Sequence, residues 1–456
     1  MELLEAWTGA FSGFMWGYPL VILLVGGGLF FLIYSRFLPF RFLKHAVGVL
    51  AGKYDDPDDP GDINHFQALS SHMASTIGMG NISGVAVAIV MGGPGALFWM
   101  WMSAIVGMAT KFFTGTLSIL YRGKDSEGEI QGGPMYVIRE GLSKKWHGLA
   151  VLFSIAGLIG PLPIFQANQL TQILRDSIYI PYGLVDAGDP FMGNLLTGLV
   201  LVGLVSLVIF GGIKRIGYVA ARMVPAMVVV YVSSVLIILA VHITEVPYYL
   251  GLIVTDAFSA NSVLGGAVGS LIIVGIQRAA FSNEAGIGTE SLAHGAAKTK
   301  EPVREGLVAM LGPAIDTLVV CTMTALAILV TGVWETSEAN GVTLTLNAFN
   351  EALPGWGTWL LLLSVMAFSV SSMLAYSYYG TKCLSYLIGA KRAKIYNYFY
   401  VGTIILGAVV SIDVVVNLID GTFATMAIPT MVSALLLAPK VKAAATDYFQ
   451  RMKQNG

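Results

Sequence analysis

Apolar residues run through this chain in long blocks separated by short polar stretches. Blocks near the ~20 residues that a helix needs to cross a bilayer fall at roughly 16–35, 65–91, 94–121, 148–174, 193–212, 216–241, 262–295, 305–333, 356–382, 395–418 and 420–439. The pattern predicts an all-α polytopic membrane protein with eleven transmembrane helices. Composition agrees, because only 12% of residues are charged, against about 25% in soluble domains. The first block lacks a basic flank before it, so it reads as a span and not as a cleavable signal.

Two blocks are interrupted. Ala74, Ser75, Thr76, Ile77, Gly78, Met79, Gly80 and Asn81 sit in the middle of the second block, and two glycines beside Asn and Thr make a poor helix centre. Broken backbone survives in hydrocarbon only where it is buried in protein or lines a cavity, and many secondary transporters hold substrate on such breaks. The block at 262–295 turns polar and glycine-bearing after Ile276, and Gly275, Ile276 and Gln277 are expected to form the matching break. It begins five spans after the first. Five is odd, so the two breaks cross in opposite directions, as in two five-helix halves of inverted topology. The expected organisation is an extra N-terminal helix and cytoplasmic linker (1–60), a first repeat (61–241), a second inverted repeat (242–439) and a cytoplasmic tail (440–456).

Charge then sets the orientation. With the N-terminus outside, 23 of the 26 Lys and Arg residues fall in cytoplasmic loops or the tail, and one, Arg175, falls outside. This is the bias that the positive-inside rule describes. Lys111 and Arg278 lie within spans. Lys111 is expected to snorkel from the cytoplasmic end of its span. Arg278 and Glu284 are expected to form an intramembrane pair, structural or gating, which their spacing allows only across the break. The stretch from Phe37 to Lys44 mixes aromatic and basic residues and reads as an interfacial helix. Cys321 and Cys383 read as small buried residues, and His72 as a packed or inward-facing one. No phosphate-binding loop of the form G-x-x-x-x-G-K-[ST] occurs, which argues against an ATP-driven pump.

Gly92 to Met102 (GGPGALFWMWM), Gly107 to Phe112 (GMATKF), Gln131 to Tyr136 (QGGPMY) and Phe281 to Gly286 (FSNEAG) resemble the signature of the alanine/glycine:cation symporter family, over nearly the whole chain. More distantly, Gly78 to Asn81 resembles the unwound first core helix of LeuT-type sodium symporters, and Phe368 to Ser372 (FSVSS) resembles their sodium motif. The resemblance implies a LeuT-like 5+5 inverted repeat with one extra N-terminal helix. It also implies sodium- or proton-coupled import of alanine or glycine by alternating access at the cell membrane. No organic cofactor, nucleic acid or obligatory protein partner is expected beyond the lipid bilayer.

The resemblance also assigns residues. Free N–H groups of Gly78, Met79 and Gly80 would face the substrate carboxylate, as helix N-termini bind anions, with Thr76 lining the site. Carbonyls around Gly275 and Ile276, with Gln277, would receive the ammonium group. Phe281 would cap the pocket or serve as a core aromatic. Asn168 would either reach the substrate or stand at a helix end near water. The carbonyls of Ala74, Ile77 and Phe368 with the hydroxyls of Ser371 and Ser372 would hold Na+, although serines in such helices also bond their own i−4 carbonyls. Asn81 would serve a second Na+ site. Asp316 is either a proton-coupling carboxylate or a buried helix partner. A cation or small-solute channel is the alternative, since broken helices also build selectivity filters. A membrane-embedded enzyme lacks any supporting motif.

Overall fold

The computed structural model describes residues 2–259 and 267–455. The first residues of the expected 262–295 span therefore lie outside the described residues. The chain opens with α1 (Glu2–Met15) and α2 (Tyr18–Tyr34), a pair bent by 48°. Inside the expected interfacial segment (37–44) a single helical turn forms at Leu38–Arg41, and α3 (Leu43–Leu50) begins at its end and runs beyond it. The first interrupted span is α4 (His65–Thr76) and α5 (Gly80–Gly92), bent by 54°. The α4 start is fixed by a capping box, in which Asn64 accepts from the Gln67 N–H at 2.8 Å and Gln67 accepts from the Asn64 N–H at 3.1 Å.

The first half continues with α6 (Gly95–Leu120), α7 (Pro134–Gly141), α8 (His147–Ala156), α9 (Ile164–Leu174), α10 (Phe191–Ile209) and α11 (Gly212–Val241). Pro161 and Pro163 lie between α8 and α9. Proline cannot continue a helix and disfavours helical backbone before it, so the expected 148–174 span is two pieces. The second half contains α12 (Val246–Asp256), α13 (Ala267–Asn283), α14 (Thr289–His294), α15 (Pro302–Val330), α16 (Val342–Ala352), α17 (Gly357–Ile388), α18 (Tyr396–Val409) and α19 (Ile412–Asn455). The helix α19 continues through Pro429 and Pro439 into the residues expected to form the tail.

Among the described residues, six helices are long and apolar enough to cross a membrane, or eight if each bent pair is one span. One continuous apolar core joins both halves.

The second interruption is displaced from its expected place. Gly275, Ile276 and Gln277 lie inside the unbroken α13. A β-carbon on Gly275 would lie 2.5 Å from Trp99 Cβ and 2.8 Å from the Ala96 carbonyl oxygen, so this glycine lets α13 lie against α6. Small residues do this between membrane helices without unwinding either. The real break follows at Glu284, Gly286 and Gly288, all with positive φ (56°, 84° and 99°).

Candidate functional site

The unwinding after α4 redistributes a few backbone hydrogen bonds. The Ile77 N–H still bonds Met73 O, at 2.8 Å. The Gly78 N–H instead turns to the Asn81 side-chain oxygen at 2.9 Å, and the Asn81 N–H bonds Gly78 O at 3.2 Å. The carbonyls of Ala74 and Ile77 thus lose the N–H groups that a continuous helix would give them. At the start of α5, Met79 and Gly80 carry the unpaired N–H groups that every helix start leaves. Of the three expected amide donors, Gly78 is therefore taken by Asn81. Thr76 is buried, and its hydroxyl bonds the His72 carbonyl at 3.3 Å.

The end of α13 closes on this start. A β-carbon on Gly80 would lie 3.2 Å from Ser282 Cα, 3.4 Å from the Phe281 ring and 3.5 Å from the Phe281 carbonyl oxygen. Glu284 N–H bonds Ala280 O at 3.0 Å, and the helix then stops; the Ala285 N–H turns to Asn283 Oδ1 at 2.9 Å, so the Phe281 carbonyl loses the next-turn partner that a continuous helix would give it. The carbonyl set facing the first break is thus Phe281 and its neighbours, one to two turns beyond Gly275 and Ile276. Phe281 meets Phe165 edge-on at 4.9 Å and lies against Gly84 as well as Gly80. It therefore walls the junction of the two breaks, as a pocket cap would.

Asp316 ties both breaks to α15. It sits just after Pro313, in a stretch (Ala314–Cys321) wound as a π-helix, a distortion frequent at functional sites. Its carboxylate accepts from Asn81 Nδ2 at 2.7 Å, Ser282 Oγ at 2.7 Å and Thr317 Oγ1 at 2.8 Å. Asn283 Nδ2 reaches Thr317 Oγ1 at 2.9 Å. Asp316 is fully buried, and among the described residues it has no ion-pair partner. A lone charge in such a place costs several kcal/mol unless compensated, so the arrangement suits a bound cation or a proton.

Ser371 and Ser372 on α17 bond the Phe368 carbonyl at 2.9 and 3.0 Å, the ordinary habit of serine in a membrane helix. Ser372 Oγ also occupies the place that a β-carbon on Gly78 would take, with Phe368 O 3.8 Å from it. Gly78, Phe368 and Ser372 are thus brought together beside the freed carbonyls of Ala74 and Ile77.

Asn168 does not face the breaks. Its amide donates to the carbonyls of Gly407 and Val410, at 3.1 and 2.8 Å, and so finishes the end of α18. The next residue, Gln169, takes the place expected of it. Fully buried, it accepts from Ser83 Oγ on α5 at 2.5 Å. Gln277 is also redirected. Its amide donates to Asp420 of α19 at 2.8 Å.

Arg278 pairs with Asp420, not with Glu284. Both members are buried, and the guanidinium stands 5.2 Å over the Phe281 ring. Trp16 donates to the Asp420 carbonyl at 3.0 Å, so the first bent span braces this pair. Above it opens a cleft of about 510 Å³ lined by Trp16, Gln277, Arg278, Asn340, Asp413 and Asp420, among others. Glu284 instead accepts from Tyr376 Oη at 2.7 Å and from Thr289 Oγ1.

The opposite end is sewn shut. The Lys298 N–H bonds Ile63 O at 2.6 Å. Arg122 donates to carbonyls of Pro60, Gly295, Ala297 and Thr299, and Lys300 pairs with Asp59 at 2.7 Å. Between seal and breaks lie buried ionisable groups. Glu305 is held between His65 and His294. Lys111 does not snorkel; it is fully buried, 2.5 Å from His72 Nε2. Sequence reasoning missed Ser282, Thr317 and Asp420 as site residues, and named Gln169 only as one of the polar residues beside Asn168. Asp420 alone carried a signal, as a carboxylate beginning an apolar block.

Residues 1–456 match the sodium:alanine symporter family. The sodium/alanine symporter AgcS of Methanococcus maripaludis is 38% identical, over 97% of each chain. The putative sodium/proton-dependent alanine carrier protein YrbD of Bacillus subtilis is 34% identical, over 98% of this chain and 93% of its own. The crystal structure of MhsT in complex with L-phenylalanine, a LeuT-type fold, superposes with a TM-score of 0.59 over 84% of this chain and 98% of that one, at 13% identity. The match over its whole length shows that this chain belongs to the sodium:alanine symporter family, a family of transporters and not of enzymes.

Proposed function

We propose that this protein imports small neutral amino acids, alanine or glycine, by sodium-coupled alternating access. The observation that carries the reading is the meeting of the two breaks, where the α5 start at Met79 and Gly80 faces the α13 end at Phe281 and Ser282. The amides of Met79 and Gly80 would take the substrate carboxylate, and the carbonyls from Phe281 onward its ammonium group. The close packing of Phe281 on Gly80 would favour a short substrate side chain. Arg278 with Asp420 forms the outer gate beneath the open cleft, and the Asp59–Lys300 side forms the inner one.

The sodium ion would sit between Ala74, Ile77 and Phe368 carbonyls and the hydroxyls of Ser371 and Ser372. Neutral oxygens suit a hard cation. Asn81 serves a second cation position together with Asp316 and Ser282. Eleven transmembrane helices in two inverted halves (61–241 and 242–439), N-terminus outside and C-terminus cytoplasmic at the cell membrane, complete the reading. A second reading, proton coupling, is favoured by one observation, the buried Asp316 carboxylate without an ion-pair partner among the described residues.

The test is counterflow of labelled alanine in proteoliposomes, with sodium and pH gradients imposed separately. Sodium-dependent, saturable exchange supports the first reading. Exchange that follows only the pH gradient supports the second, and flux that never saturates would indicate a channel.

A further inference from the structure

A second concavity lies far from the breaks, at the membrane face that carries the basic loops. It is a cleft of about 450 Å³ between the end of α2, the interfacial segment and the last turns of α19. Arg36, Arg41, Lys442 and Lys453 line it, and no acidic residue does. Among the described residues none of the four belongs to an ion pair, and all four are exposed. Lys442 stands 4.1 Å over the Tyr34 ring and Arg41 stands 5.6 Å over Phe42.

The back of the cleft is apolar. Phe112 and Phe113 of the membrane helix α6 form it, and the rings of Phe42 and Phe449 stack at 3.7 Å beside it. The backbone at its rim is unusual. Arg36 and Phe37 are consecutive residues with positive φ (56° and 58°) and neither is glycine. Non-glycine residues in this region persist only where their surroundings hold them. Here the Phe37 N–H returns to Leu32 O at 2.8 Å, a turn that closes α2 and directs the chain along the cleft.

We propose that this cleft binds an anionic phospholipid of the cytoplasmic leaflet, with the headgroup phosphate among Arg36, Arg41, Lys442 and Lys453 and an acyl chain along the phenylalanines. Basic pockets between membrane helices on that side take such headgroups. Charge and apolar wall together define the ligand class. A free phosphate would leave the phenylalanines unused, and a zwitterionic lipid would leave the four cations without a net counter-charge. The lipid would join α2, the interfacial segment and α19, the helix that also carries Asp420.

The test uses the full chain in mild detergent, titrated with phosphatidylglycerol or phosphatidylcholine of equal chain length, with bound lipid counted by native mass spectrometry. Phosphatidylglycerol should bind tighter by about tenfold or more. The combined substitution Arg36→Gln, Arg41→Gln, Lys442→Gln, Lys453→Gln should reduce it to the phosphatidylcholine level. Removal of the same charge elsewhere, by Lys144→Gln, Lys145→Gln, Lys391→Gln, Arg392→Gln, should leave the preference intact. If the first variant fails to fold, Lys442→Gln with Lys453→Gln on the exposed side of α19 is read the same way. An unchanged preference in the cleft variant, equal loss in the control, or displacement of the lipid by glycerol 1-phosphate at equal concentration would each overturn the proposal.

Discussion

Asn81 donates to the Asp316 carboxylate at 2.7 Å while its oxygen holds the Gly78 N–H at 2.9 Å. One side chain therefore senses both the unwound backbone and the buried charge. Filling the carboxylate with a cation or a proton changes what Asn81 and Ser282 can share with it, and so links ion occupancy to the shape of both breaks. Linkage of this kind is reciprocal. Asp316→Asn keeps size and removes the charge. Alanine should still bind, but its affinity should lose the part of its sodium or pH response that runs through Asp316, leaving only the response set at Ser371 and Ser372. The measurement is alanine affinity across a sodium series at two pH values, and a wild-type response in the variant would remove Asp316 from coupling.

At the Gly78–Ser372 contact the expectation is paired. Gly78→Ala puts a methyl group where Ser372 Oγ stands, so it should destabilise the protein and abolish sodium-dependent binding. Adding Ser372→Ala makes room and should restore the thermal midpoint, but not the sodium response. Ser371→Ala with Ser372→Ala removes two oxygens. At about 1–3 kcal/mol for each lost buried partner, the sodium midpoint should rise by about tenfold or more. An unchanged midpoint would place the ion elsewhere. Gly80→Val should remove alanine binding while the protein remains folded, since its side chain meets the Ser282 backbone and the Phe281 ring.

The first break was legible because its cause is local, two glycines beside Asn81 in an apolar block. The second was misplaced because glycine has two uses in a membrane helix. Gly275 serves close packing on Trp99, whereas Gly286 and Gly288 supply positive φ, and sequence alone does not tell these apart. Asn168 and Gln169 differ by one residue, which is about 100° around a helix, and that angle decides which of them faces Ser83. The partner of Arg278 lies 142 residues away, beyond any spacing argument. Helical character was readable across the described residues, since periodicity and composition act locally, but the exact extent of each span was not. Contacts between distant helices were not.

The Arg278–Asp420 pair should separate gating from stability. Asp420→Asn strands a buried guanidinium, and breaking such a pair costs about 3–5 kcal/mol. A lower thermal midpoint and slower uptake are both expected. The double variant Arg278→Met with Asp420→Leu has no stranded charge, so its midpoint should recover. Uptake should stay low if the pair opens and closes the outer path. Wild-type uptake in the double variant would reduce the pair to a structural contact.

Orientation can be read from two exposed loop positions. Glu338 and Lys391 are exposed, and the native thiols Cys321 and Cys383 are buried, so background labelling should be low. In intact cells an impermeant thiol reagent should modify Glu338→Cys and spare Lys391→Cys. The reverse result would invert the topology.

The inner seal should depend on acid in a defined direction. Asp59 accepts from Lys300 Nζ at 2.7 Å and from the Lys300 N–H at 3.1 Å. The Lys300 side-chain hydrogen bond is the largest influence on it, and the Asp59 carboxyl is held below its ordinary range. A lowered carboxyl value means that the folded state prefers the charged form. Its contribution is therefore complete above the ordinary carboxylate range, near pH 4, and is lost as pH falls through the lowered value. Hydrogen exchange of the Lys298, Thr299 and Lys300 amides, which bond Ile63 O, Pro60 O and the Asp59 carboxylate, reads this directly. Protection should be flat from neutral pH down to about pH 5 and fall only in stronger acid. Asp59→Ala should show the reduced, pH-independent protection already at neutral pH. It should also speed release of bound alanine to the inner side, because the segments that precede α4 and follow α14 are then less firmly joined. Protection in Asp59→Ala equal to wild type at neutral pH would show that Arg122 and the Ile63–Lys298 bond hold the seal without it.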